Sequence, residues 1–357
     1  MPRQLQEYHT GLNRQSWRGT TGPREVARLR NRRMVGIEFE TETSSPEERG
    51  LLIDELDAIN EPLKTKFIVE SDGSLDSYRG LEVILPPLAY RSFFGAKSIA
   101  KKVVGAVKRI GADMSKDQVG LHVNLNVAGC SVQHIGAAVA SFHQMKPVCQ
   151  SLAGRREGHY WNYRGAVSIS DYVTKLNKYA AAWYRGAMPV IEVRLFRSNP
   201  EWDVTRDQVR FAIGVLDFAA AKTNEIRDLV AEHGIKNTRV DPYNGISYFI
   251  QDRSVENIPL IREFSEWLKT QKSRTLRSVI NRIKPVIESV LTDDRSLSGT
   301  TPPPVEMPVL PLRDVVVYWD TTGAAIGTNG YQEALRRARE SNMSYEQFSN
   351  LFTMAGS

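Results

Sequence analysis

The sequence predicts an α+β fold, in which a curved, largely antiparallel sheet carries helices on one face and an open polar face on the other. Three observations lead there. Residues 36–40, 80–85, 121–127 and 191–196 alternate polar with apolar side chains, and in a strand that alternation sorts them onto opposite faces. Between and after them run stretches whose apolar residues recur at helical spacing. The polar positions are Glu38, Glu40, Glu82, His122, Asn124, Glu192 and Arg194. A solvated strand face ordinarily mixes Thr, Ser, Lys and Glu; this set instead holds the groups that bind metal and phosphate.

Taken in order, residues 1–33 form a basic arm with Arg24, Arg28, Arg30, Arg32 and Arg33. It reads as a polar surface segment, with phosphate attraction as the sharper alternative. After the first strand, Ser45, Pro46 and Glu47 open a helix whose apolar stripe is Leu51, Leu52, Leu56 and Ile59. Residues 67–69 read as a strand leading to the Asp72-Gly73 turn. Pro86 and Pro87 stop the next strand, and the spacing of Phe93, Ala96, Ala100, Val103 and Val107 predicts one helix over 90–110, capped by Gly111. Ser131 caps a further helix, which Pro147 bends or ends; its His134 and His143 lie too far apart to form a ligand pair and read as surface or packing residues. Residues 154–160 read as a loop bearing Arg155 and Arg156. A helix from Asp171 takes in Lys175, Lys178 and Tyr179. A long helix spans 202–232 and two more fill 255–293. The organisation expected is a core over 34–230, a helical extension over 231–293, a Pro-rich linker over 294–312, and a small tail module over 313–357.

Composition sets the outer limits. Across 357 residues, 41% hydrophobic and 25% charged is ordinary for a soluble globular chain. Lys and Arg number 47 against 41 Asp and Glu, a net +6, which suits polyanionic partners such as nucleotides. Nucleic acid is a possible partner but not the favoured one. Two cysteines make neither a disulfide framework nor a zinc pattern. No apolar run is long enough for a signal peptide or membrane span, so a cytoplasmic protein is expected. Four carboxylates on one sheet face repel and raise one another's pKa unless cations join them. Oxygen-rich sites of that kind suit Mg2+. A metal-dependent nuclease built on Asp72 and Glu82 would want a lysine two residues on, where this chain has Ile84. There is no phosphate-cradling Gly-x-x-x-x-Gly-Lys-Ser/Thr loop.

The motifs Gly-Ile-Glu-Phe-Glu (36–40), Ser-Asp-Gly-Ser-Leu with Gly-Leu-Glu-Val (71–83), Gly-Leu-His-Val-Asn (120–124), Gly-Arg (154–155), Lys-Tyr (178–179) and Glu-Val-Arg-Leu-Phe-Arg (192–197) come in an order that resembles the amidoligase family. That family belongs to the glutamate-cysteine ligase and glutamine synthetase fold. The resemblance covers roughly residues 34–220. The third strand departs from it, with Asn124 where many members carry a second His. The resemblance implies an ATP- and Mg2+-dependent carboxylate-amine ligase working through an acyl phosphate, in a bacterial or phage-infected cell. It implies Glu38, Glu40, Glu82, Glu192 and Asp72 as metal ligands. It further implies Arg194, Glu192 and His122 as catalytic groups, and Arg155, Lys178, Arg197 and Asn124 as contacts to nucleotide or substrate. Its substrates would be a carboxylate and an amine, on a small molecule, a peptide or a protein. A non-catalytic nucleic-acid-binding or assembly protein on the same scaffold is the alternative.

Overall fold

The structure, a computed structural model, describes residues 33–63, 66–114, 116–158, 161–164, 169–186, 189–232, 258–271 and 276–297. The basic arm before Arg33, the tail module and nearly all of the Pro-rich linker lie outside the described residues. A single antiparallel sheet organises the rest. Its strands are β1 (Met34–Glu42), β2 (Ile68–Glu70), β3 (Gly80–Ile84), β4 (Leu88–Ala89), β5 (Gly120–Asn126), β6 (Ala182–Arg185) and β7 (Val190–Arg197). Their order is β2-β3-β1-β5-β7-β6, with β4 pairing the start of β1. The sheet is open, with β2 and β6 at its edges.

Alternation decides which residues go to the core. Val35, Ile37, Phe39, Leu81, Val83, Leu121, Val123, Leu125, Ile191 and Val193 are all within 1% of complete burial. They join one apolar cluster with residues of every main helix, from Leu52 to Ile287. Those helices are α1 (Pro46–Asn60), α2 (Tyr90–Phe93), α3 (Ile99–Ile110), α4 (Val132–Gln144), α5 (Lys146–Ala153), α6 (Ile169–Thr174), α7 (Trp202–Glu232), α8 (Ile258–Thr270) and α9 (Arg277–Leu297). At ~25 cal/mol per Å2 of apolar surface, this cluster is the main stabilising term of the fold. Among the described residues, no helix is long and apolar enough to cross a membrane.

Local signals account for the helix ends. The Ser45 side chain accepts the Glu48 N–H and Pro46 sits in the first turn, so α1 begins where the sequence predicts. The single helix expected over 90–110 is two, because Ser98 caps a fresh start by accepting the Lys101 N–H at 3.4 Å. Gly111, at φ 75°, closes α3 in the left-handed conformation. Pro147 lies in the first turn of α5, and the break from α4 falls at Met145. The helix expected to reach Tyr179 ends at Thr174. Asn177 builds a turn instead, its Oδ1 accepting the Tyr179 N–H at 3.1 Å and its carbonyl the Ala180 N–H at 2.9 Å. At the far end, α9 continues to Leu297, past the point where the linker was expected to begin.

Candidate functional site

Register brings the polar positions together. Glu40 pairs with Glu82 and Glu82 with Glu70; Glu38 pairs with His122, Asn124 with Glu192, and Glu192 with Trp183. All therefore project from the same side of the sheet. Glu192 and Arg194, two apart on β7, share the polar face by alternation, and a register shift between β5 and β7 puts Phe196 opposite Leu121, in the core. Arg197 then stands opposite Gly120.

The side chains on this face are not open to solvent as the sequence suggested. Glu38 is 5% exposed, Glu40 2%, Glu82 1%, His122 3% and Glu192 2%. Periodicity identifies residues that share a face but not what covers it. Here the carboxylates crowd one another and lie under guanidiniums.

His122 stands at the centre. Its Nδ1 is 3.2 Å from Glu38 Oε2 and its Nε2 is 3.3 Å from Glu40 Oε1. It thus belongs to two three-residue clusters, Glu38–His122–Glu192 and Glu40–Glu82–His122. Within each, one ligand atom per residue lies within 4.8 Å of the others. Asn124 donates to Glu38 Oε1 at 3.0 Å, so it holds a carboxylate, and its buried Oδ1 has no hydrogen-bond partner.

The two clusters differ electrostatically. Glu192 Oε1 lies 2.6 Å from Arg194 Nη1 and its Oε2 lies 3.1 Å from Arg185 Nη1; the latter nitrogen is also 3.7 Å from Glu38 Oε1. Burial opposes the Arg194 charge, but Glu192 beside it outweighs that and raises its pKa. Among the described residues, Glu82, in contrast, makes no ion pair and its buried Oε2 accepts no hydrogen bond. Burial first, and then the charges of Glu38, Glu40, Asp72 and Glu70, push its carboxyl well above the usual range. Glu40 is likewise raised by burial, with His122 and Arg155 pulling the other way. Its Oε2 accepts the Gly120 N–H.

The remaining expected residues fall around this centre. Asp72 makes the turn after β2, accepting the Ser74 N–H at 2.6 Å, and its charge is felt at both Glu40 and Glu82. Arg155 is buried, donating to the carbonyls of Asp117 and Arg194. Burial pulls its pKa down to about 10. Gly120 leaves room for it, since a Cβ there would sit 2.8 Å from Arg155 Nη1 and 3.0 Å from Glu40 Oε2. Lys178 is exposed, 5.4 Å above the Tyr179 ring, and is not brought to the cluster. His143, read from sequence as a surface or packing residue, is fully buried, with Nε2 2.8 Å from the Ala182 carbonyl and Nδ1 accepting the Arg164 N–H at 2.9 Å.

Sequence reasoning missed Arg185, Trp183 and Glu70. Trp183 and Arg185 sit two apart on β6 with the guanidinium 5.8 Å from the Trp183 ring. The legible signal was a short strand at 182–185 separated from β7 by a turn beginning at Gly186.

No family model matches the chain, and no curated protein matches it. Among solved structures, the chain is similar to one described as the complex between prokaryotic ubiquitin-like protein Pup and its ligase PafA, at 12% identity and a TM-score of 0.36, covering 91% of this chain and 73% of that one. A second is a bifunctional glutathione synthetase from Pasteurella multocida, at 13% identity and a TM-score of 0.37, covering 78% of this chain and half of that one. These likenesses are too coarse to assign a fold family or an activity.

Proposed function

We propose that the chain is an ATP- and Mg2+-dependent carboxylate-amine ligase on a glutamine synthetase-like scaffold, its site carried by the core at 34–230. The observation that carries this reading is the pair of buried acid clusters sharing His122, with guanidiniums in ion-pair contact on one side and, among the described residues, none on the other. Buried carboxylates without counter-charge are costly to hold ionised. Glu82, whose Oε2 is buried and unpartnered, is therefore suited to a hard cation.

Glu40, Glu82, Glu38 and Glu192 are the residues to hold Mg2+, with His122 between them and Asp72 beside them. Bound there, the metal supplies neutralisation of the triphosphate charge. The chain's own groups do the rest. Arg194 already has one nitrogen on Glu192, while its buried Nε has no hydrogen-bond partner, leaving a donor for a phosphoryl oxygen. Asn124 and His122 fix the orientation of the Glu38 carboxylate. Arg155 holds Arg194 through the backbone of β7. Arg197 and Lys178 are the residues to anchor the substrate carboxylate. In the reaction, a carboxylate oxygen attacks the terminal phosphorus and ADP leaves with the bonding pair; the neutral amine nitrogen then attacks the acyl carbon, and phosphate leaves with its bonding pair and takes up the proton that nitrogen loses. Burial of the site keeps water from taking the place of the amine.

The test mixes the purified chain with Mg-ATP and pools of amino acids or peptides and reads ADP and phosphate release. Release that rises with an amine pool supports the reading. Its absence from every pool, with no binding of Mg-ATP, removes it.

A further inference from the structure

Both oxygens of Glu192 are occupied by the protein's own cations, Arg194 on Oε1 and Arg185 on Oε2. Arg185 does more than pair with Glu192. Its Nη1 lies between Glu192 and Glu38, at 3.1 and 3.7 Å, and these are two of the three members of the Glu38–His122–Glu192 cluster. A divalent ion in that cluster would take the same oxygens, and two cations cannot share them at that spacing without strong repulsion. The side chain is also held in place. Trp183, on the same short edge strand and directly opposite Glu192, lies under the guanidinium at 5.8 Å. Across His122, Glu82 makes no ion pair among the described residues and its Oε2 is unpartnered there.

We propose that Arg185 is a built-in competitor for the Glu38–His122–Glu192 cluster, occupying it until a divalent cation displaces the guanidinium. This rests on the cluster being a metal site, as in the function proposed above, but not on ligation. Arg194 differs from Arg185 in that, among the described residues, it pairs with one carboxylate, at Glu192 Oε1, so an ion held through Oε2 can coexist with it. The displaced Arg185, still tethered at the site edge, becomes a donor for whatever anion accompanies the metal.

The test is Mn2+ binding to the metal-free chain without nucleotide, read by the loss of the free-ion paramagnetic resonance signal. Arg185→Gln should tighten binding by at least about tenfold, because one positive charge within a few ångströms of the ion is gone. Arg185→Lys keeps the charge and should stay within about threefold of the parent. Arg185→Met serves as a second neutral variant, with melting curves to show that each is folded. Unchanged or weaker Mn2+ binding in both neutral variants overturns the proposal, as does Mn2+ binding to none of the proteins. Ligase turnover is a separate readout. Tightened binding without amine-dependent ATP use removes only the ligase reading, and turnover with unaltered Mn2+ binding removes only this one.

Discussion

The two sides of His122 have nearly the same composition and opposite electrostatics. Toward β3, Glu40 and Glu82 face each other across the ladder, with burial and neighbouring negative charge as the dominant influences on Glu82. Toward β7, Glu192 is clasped by Arg185 and Arg194. A buried carboxylate is therefore not one kind of residue. On the first side it is a demand for a cation, and burial beside other acids raises its pKa; on the second it is an ion pair in the metal-free protein, and removing one partner leaves the other stranded.

The largest effect that distinguishes a working site from an inert scaffold is on turnover. Glu40→Gln removes one negative charge at nearly constant volume, and Arg194→Lys keeps charge but loses the planar fork. Each should lower amine-dependent ADP formation by about 100-fold or more, while the folded state persists by circular dichroism. Full activity in either would break the link between the clusters and chemistry.

The next effect sharpens the contrast itself, in thermal and denaturant melts of the metal-free protein. Glu192→Gln leaves two guanidiniums short of a counter-charge, and a loss of ~1–3 kcal/mol is expected, below the range for a fully buried pair because both arginines are partly exposed. Glu82→Gln should do the reverse. The Glu82 carboxyl is raised above its ordinary 4.5 in the folded state, so it favours folding below pH 4.5 and that contribution is lost as pH rises through the folded value. The variant should therefore match the parent in acid and exceed it by ~1 kcal/mol or more at alkaline pH. Equal responses to the two substitutions would show that the two sides are not electrostatically distinct.

A smaller effect comes from Gly120→Ala. Its Cβ would meet Arg155 Nη1 at 2.8 Å and Glu40 Oε2 at 3.0 Å, both at the ends of side chains that can shift. A cost of ~1–2 kcal/mol is expected in the same melts, without the pH dependence of Glu82→Gln.

Much of this arrangement was legible in the sequence, for definite reasons. Two-residue alternation placed Glu38 and Glu40 on one face and Ile37 and Phe39 on the other, and the same logic held on β3, β5 and β7. Long apolar periodicity gave α7 its full span. What escaped was encoded in short or non-local terms. The four-residue β6 is too brief for alternation to register, which hid Arg185. The break before α3 turned on one capping serine, and an Asn177 turn cut α6 short. Burial of the polar face depends on which side chains meet across strands far apart in the chain, and periodicity carries no information about that.

The most direct test of the central claim is a calorimetric titration of the parent chain with a non-hydrolysable ATP analogue, with and without Mg2+, beside Glu40→Gln and Glu82→Gln. The account predicts nucleotide binding that requires Mg2+ and is lost in both variants. Binding that is indifferent to Mg2+, or that survives both substitutions, would contradict it.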